Sequence, residues 1–282
     1  MTKKKNKYIE SDYERLHDLK INTDDEYTNH NLEIRNKCNY VTKTVTAGPI
    51  REVEIYPVYK KNEIKDEWKP KKSKEAQRNL NDKNARKNLI RLINTNFRNG
   101  DYLITLNYSD DNLPTDHEVA KKNMQNFIRR LNYQLKKRDL EKAKYIYITE
   151  HSVTNKIRCH HHLIISTSLP IDEVEALWKL GRRNNMKKLN CDELGLTGIG
   201  TYLTKDPKGK KRWCSSNNLK KPTVTKSNTK FSKKRVHTMT RFQHLIKQEM
   251  EKLNPKYLLV DYEILINKFN GRPYIYTRMR RL

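Results

Sequence analysis

Residues 150–165, "EHSVTNKIRCHHHLII", set one glutamate and four histidines around the start of an apolar run. On a β-strand successive side chains face opposite ways, so His160 and His162 share one face while His161, Leu163 and Ile165 take the other. Two imidazoles so spaced can reach one cation. Joined by an anionic oxygen they suit Mg²⁺ or Mn²⁺, with positions left open for a phosphate. Glu150 follows Ile146 and Ile148 on one face of the preceding run and is the natural third ligand, whereas His151 has the opposite parity. The plainer alternative is a strand edge of hydrogen-bonded histidines. A bulge that moved the register by one residue would instead make His161 the ligand.

Downstream, "GTYLTKDPKGKKRW" places Tyr202 and Lys205 three residues apart, on one face of a helix, beside Gly198 and Gly200, which permit close approach of another segment. A phenol can attack phosphorus if a neighbouring cation stabilises the charge that develops, and Lys205 is the candidate for that task. The bland counterpart is a core-flanking tyrosine and a solvated lysine. Taken together, a metal strand, a tyrosine helix and a basic tail are the parts needed for transesterification of a phosphodiester, with the cleaved bond's energy kept in a phosphotyrosine.

The chain of 282 residues carries 60 Lys and Arg against 33 Asp and Glu, a formal charge of +27, and no acid between Pro207 and Gln248. Such an excess calls for a polyanionic partner, nucleic acid first. No apolar stretch is long enough to span a membrane and no signal-peptide pattern opens the chain, so a cytosolic location is expected. Cys38, Cys159, Cys191 and Cys214 are widely separated, which suggests reduced thiols and neither a disulfide framework nor a zinc site.

Several elements must position these residues. Residues 1–45 are polar and read as a leader without sustained structure. "REVEIYPVY" alternates as a strand, 75–97 carries an apolar stripe at helical spacing, and "NGDYLITLNYS" reads as a turn and a strand. "PTDHE" offers Thr115 as N-cap with Glu118 three residues on, ahead of a helix whose Met124, Ile128, Leu131 and Leu135 share a face. "KYIYITEH" and "CHHHLIIS" read as adjacent antiparallel strands in a sheet with helices on one side. "IDEVEALWKL" and "GIGTYLTKD" read as short helices and "RVHTMTRFQHLIKQEMEKL" as one longer helix. "YLLVDYEILI" and "PYIYTRM" form a hairpin around "FNGR".

In this order "LITLNY", "CHHHLIIS" and "YLTK" resemble the motifs of the HUH endonucleases, more narrowly the rolling-circle replication initiators (Rep) of small bacterial plasmids and phages, over most of the chain from about Arg51. The resemblance implies an α+β fold with a central antiparallel RRM-like (HUH palm) sheet and helices packed on it. One endonuclease domain would then span 46–282, including a basic loop at 207–235 and a C-terminal helix and hairpin. It implies metal-dependent, site-specific nicking and rejoining of single-stranded DNA through a 5′ phosphotyrosine, initiating rolling-circle DNA replication. Glu150, His160 and His162 would hold Mg²⁺ or Mn²⁺, Tyr202 would be the nucleophile and Lys205 its electrostatic partner. Lys208, Lys210, Lys211, Arg212, Lys220 and Lys221 are expected to contact DNA. The expected partners are single-stranded DNA or an origin hairpin, with host helicase and polymerase, in the cytoplasm of a bacterial host and with no membrane. The chain departs from the pattern at His161, where the family has a hydrophobe, and at Asn107, where it often has Thr. The single tyrosine of the motif gives no support to a two-tyrosine cycle, and no G-x-x-x-x-G-K-[ST] helicase loop is present. A relaxase or single-tyrosine transposase shares this chemistry; a non-catalytic nucleic-acid binding protein on the same scaffold is the alternative of another class.

Overall fold

In the computed structural model the described residues are 8–9, 38–60, 74–151, 158–181, 184–204, 213–266 and 272–282. Their strands are β1 (Tyr8–Ile9), β2 (Asn39–Ala47), β3 (Ile50–Lys60), β4 (Tyr102–Asn107), β5 (Lys144–Glu150), β6 (His160–Ser166), β7 (Asn185–Lys188), β8 (Cys214–Ser215), β9 (Thr223–Ser227), β10 (Tyr257–Ile266) and β11 (Pro273–Arg281). The α-helices are α1 (Lys74–Asn96), α2 (His117–Lys137), α3 (Ile171–Ala176), α4 (Thr197–Tyr202), α5 (Lys233–Arg241) and α6 (His244–Leu253). The fold is α+β, with two antiparallel sheets, and the chain divides into two compact units, 1–85 with 222–282 and 86–221.

The unit spanning 86–221 holds the sheet β7-β4-β6-β5-β8, with the histidine strand β6 at its centre and β4 and β5 antiparallel on either side. Strand alternation gives this sheet two apolar faces, and both are covered. On one, Ile104, Leu106, Tyr147, Leu163 and Ile165 pack with Met124, Phe127, Leu131 and Leu135 of α2 and with Trp178. On the other, Ile146 and Ile164 pack with Leu89 and Ile93 of α1 and with Leu196 and Leu203 flanking α4. Helices on one side only were expected; a central strand with the run Leu163, Ile164, Ile165, all fully buried, requires cover on both.

Helix α2 has the apolar face expected of it, but its cap lies one residue later than Thr115. The Asp116 carboxylate accepts the N–H groups of Glu118 and Val119 at 2.8 and 2.9 Å. A carboxylate takes both orphan donors of the first turn at once, which a single hydroxyl cannot. Those N–H bonds, the one from Val119 foremost, hold the Asp116 carboxyl below the usual carboxylate range.

The other unit carries the sheet β10-β11-β3-β2-β9, with β1 also paired to β3. Strand β2 begins at Asn39, so the boundary drawn at residue 45 falls inside a strand, and the fully buried Cys38 precedes it. The β-branched run Val41, Thr42, Thr44, Val45 and Thr46 is the signal for it, and Gly48, at φ 58, makes the turn into β3. Residues 10–37 of the polar leader lie outside the described residues. Strands β10 and β11 pair as the hairpin expected, while its Asn-Gly turn is outside the described residues.

On one face of this sheet α5 and α6 pack through Val236, Met239, Ile246 and Met250 against Val53, Ile55, Ile275 and Met279. One long helix was expected here. The chain instead breaks at Phe242, which has φ −117 and ψ 80. An unbroken helix would carry Gln243 onto the buried stripe between Met239 and Ile246 and bury an amide; the break leaves Gln243 exposed.

Candidate active site

Register builds the site. Asn107, His160 and Glu150 lie in one cross-strand row, and Thr105, His162 and Ile148 in the next. Side chains in such rows share a face, so the carboxylate and both imidazoles are delivered together at the β6 start. The ligand atoms of Glu150, His160 and His162 all lie within 4.8 Å of one another. His160 Nε2 is 3.1 Å from His162 Nε2, and each is 3.5 Å from a Glu150 oxygen.

The far sides of the rings are tied down. His160 Nδ1 is 2.8 Å from the Arg158 carbonyl oxygen, which can only accept, so the proton sits on Nδ1 and the Nε2 lone pair points at the cluster. His162 Nδ1 lies 3.2 Å from the Thr105 hydroxyl. The Arg158 side chain is anchored in turn by Asp110 at 2.6 Å and by the Tyr108 carbonyl at 2.9 Å. Two imidazole nitrogens and a carboxylate facing one another at this range repel unless a proton or a cation sits among them. Ligands about 2.1 Å from an octahedral ion stand about 3 Å apart, so the donor set fits a small divalent cation. The hydrogen bond from His162 is the largest influence holding the Glu150 carboxyl below its ordinary range, helped by the charges of His160 and His162 and opposed by burial.

His161 is turned the other way. It is fully buried, with Nε2 2.8 Å from the Tyr108 hydroxyl and Nδ1 2.9 Å from the Thr149 hydroxyl, among the rings of Tyr108, Tyr147 and Trp178. Asn123 donates to the Tyr108 hydroxyl at 3.4 Å, so a consistent relay runs from Asn123 to Tyr108 to His161 to Thr149. No bulge shifts β6 between His160 and Ile165, and the question of register is answered by alternation alone.

Tyr202 ends α4, half-exposed, with its ring centroid 5.4 Å from that of His162 at 72°. Gly200 makes this possible: a Cβ there would stand 2.7 Å from Ile90 Cγ1 and 3.2 Å from Ile90 Cα. Gly198 has no comparable neighbour; a Cβ there would meet only an Asp192 oxygen at 4.0 Å. At the far end of β4, a Cβ on Gly181 would fall 2.0 Å from the Asn107 carbonyl oxygen, which also accepts the Trp178 indole N–H at 2.6 Å.

The remaining candidates divide. Lys205 and the DNA candidates Lys208, Lys210, Lys211 and Arg212 lie outside the described residues, and α4 stops at Tyr202, short of Lys205. Lys220 and Lys221 are exposed, and the Lys220 main chain is clamped by the Asn96 side chain, with bonds of 2.7 and 2.8 Å. Thr105 and Arg158 were not singled out from sequence. Thr105 lies within "LITLNY", and the strand register that puts it opposite His162 was the available signal. The cysteines form no disulfide: Cys38 and Cys159 are buried, and burial pushes the Cys159 thiol up to about 11. Among the described residues no helix is long and apolar enough to cross a membrane.

Residues 101–208 match the family model described as Replication-associated protein, ORF2 group, in accord with the resemblance to rolling-circle replication initiators. Neither a curated protein nor a solved structure matches the chain significantly.

Proposed function

Because residues 101–208 match a family of replication-associated proteins, we propose that this chain is a DNA-nicking and rejoining enzyme that initiates rolling-circle replication, with Tyr202 as nucleophile. One observation carries the reading: the ring of Tyr202 packs against His162, whose opposite edge belongs to the Glu150, His160 and His162 cluster. A phosphate held at the cluster would stand within reach of the phenol oxygen.

The Tyr202 oxygen attacks the scissile phosphorus in line; the P–O(Tyr) bond forms, the bond to the 3′ oxygen breaks, and that oxygen leaves with a proton as a 3′ hydroxyl. The 5′ phosphotyrosine so formed is reversed by a 3′ hydroxyl attacking the same phosphorus, which rejoins the strand. Glu150, His160 and His162 would hold Mg²⁺ or Mn²⁺, which when bound supplies Lewis acidity to the non-bridging phosphate oxygens. The depressed carboxyl of Glu150 keeps its negative charge toward the cluster. Arg158 and Thr105 fix the imidazoles, and the packing of α4 on Ile90 through Gly200 fixes the tyrosine. Lys205 would neutralise the charge developing on phosphate, and Lys208, Lys210, Lys211, Arg212, Lys220 and Lys221 would hold the strand. The origin strand or hairpin, host helicase and host polymerase are the partners in this scheme, in a bacterial cytoplasm.

The test is incubation with single-stranded DNA labelled on its 3′ side and Mn²⁺, followed by denaturing electrophoresis. A labelled band that migrates with the protein is expected, lost in Tyr202→Phe and on chelation, with DNA binding retained. DNA binding without any covalent band in the unaltered chain would identify a non-catalytic binder.

A further inference from the structure

The α5–α6 layer carries a second concentration of chemistry that the nicking scheme does not use. The break between the helices leaves the Phe242 ring 47% exposed, and Tyr262 of β10, 40% exposed, donates its hydroxyl to the adjacent Gln243 side chain at 3.1 Å. Around the Phe242 ring the neighbours are cationic or ionisable. The Arg241 guanidinium lies 5.5 Å from its centroid and the His244 ring 6.3 Å away at 59°. Lys247, one turn further along α6, is exposed as well.

The acids of this layer are engaged elsewhere. Glu249 pairs with Arg235, and Glu251 accepts the backbone N–H of Leu259 at 3.1 Å. No Asp or Glu occurs between Pro207 and Gln248. A protein partner would be better served by aliphatic side chains around an exposed phenyl ring; here the surroundings are a guanidinium, an imidazole, an ammonium and an amide. That combination suits a ligand with open π-faces and regularly spaced negative charges. In a duplex the base faces are already stacked on one another; in a single strand they are available.

We propose that the corner formed by Arg241, Phe242, His244, Lys247 and Tyr262 binds single-stranded DNA, with a base stacked on Phe242 and neighbouring phosphates met by Arg241 and Lys247. The site lies wholly in the unit that does not contain the metal cluster, and it holds whether or not Tyr202 is a nucleophile. The full chain then grips a strand at two places, one catalytic and one not.

The experiment uses the full chain carrying Tyr202→Phe, so that binding is read without covalent capture, and a labelled thymidine oligonucleotide as probe. Adding Phe242→Ala is expected to weaken binding roughly 5- to 100-fold, the range of one lost base stack, while Phe242→Trp restores it. Arg241→Gln and Lys247→Gln should each lower the slope of log K against log salt by about 1. Thermal unfolding checks that each variant remains folded. Unchanged oligonucleotide affinity in Phe242→Ala overturns the proposal. So does an equal loss on duplex DNA of the same length, or a change confined to self-association in sedimentation, which would assign the ring to a protein contact.

Discussion

An imidazole enclosed by Tyr108, Tyr147 and Trp178 cannot easily carry a charge, and burial drives the His161 pKa down to about 3. In the unfolded chain histidine takes its proton near pH 6.5, roughly. Between about pH 6.5 and 3 the unfolded state therefore binds a proton that the folded state refuses. Stability from this residue is complete above that window and falls, as pH drops through it, by up to about 1.4 kcal/mol per unit. Urea unfolding at pH 7.5 and pH 5 should show the unaltered chain losing about 2 kcal/mol more than His161→Leu between the two conditions. At pH 7.5 the variant should itself be about 1–3 kcal/mol less stable, because the buried Tyr108 hydroxyl loses its acceptor. Equal acid sensitivity in both chains would show that His161 is not the group responsible. Thr105→Val removes the partner of His162 Nδ1 without touching the cluster. Loss of such an orienting bond costs about 10- to 100-fold in metal affinity, to be read by Mn²⁺ titration with the fold intact by circular dichroism.

At the scale of elements the decisive contact is that of α4 on α1. Gly200→Ala places a methyl 2.7 Å from Ile90 Cγ1 and 3.2 Å from the Ile90 backbone, so the helix carrying Tyr202 must move as well as the isoleucine side chain. Overpacking of this kind costs about 1–3 kcal/mol. Because α4 has only 6 residues, the displacement is expected to reach its last residue, Tyr202. The adduct yield should then fall more than the unfolding midpoint, a divergence that comparing the two in one preparation will detect. A normal adduct yield with a lowered midpoint would mean that the tyrosine tolerates the shift.

For the whole molecule, a charge of +27 makes DNA affinity a function of salt. Each phosphate neutralised on a single strand releases counterions and adds about −0.7 to the slope of log K against log salt, so a chain contacting about 6–10 phosphates gives a slope of roughly −4 to −7. Binding isotherms on single-stranded DNA between about 50 and 200 mM salt should therefore give a slope of about −4 or steeper. A slope shallower than about −2 would mean that the basic run from Pro207 to Gln248 makes little contact with the strand.

The site was legible in the sequence because strands have a period of two and cross-strand neighbours share a face: His160, His162 and Glu150 follow from alternation in two adjacent runs. Helix α2 was legible for the same kind of reason, its stripe from Met124 to Leu135 recurring at three and four. What linear spacing could not supply was anything that depends on which segments meet. The pairing of β2 with β3 and β9, the cover on both faces of the histidine sheet, and the bonds from Thr105, Arg158 and Tyr108 to the imidazoles arise between residues from 12 to more than 180 positions apart, or from a loop carbonyl whose direction no pattern encodes. The break at Phe242 belongs to the same class. Helical period allowed a continuous helix there, and only packing against the sheet decided that Gln243 should face water.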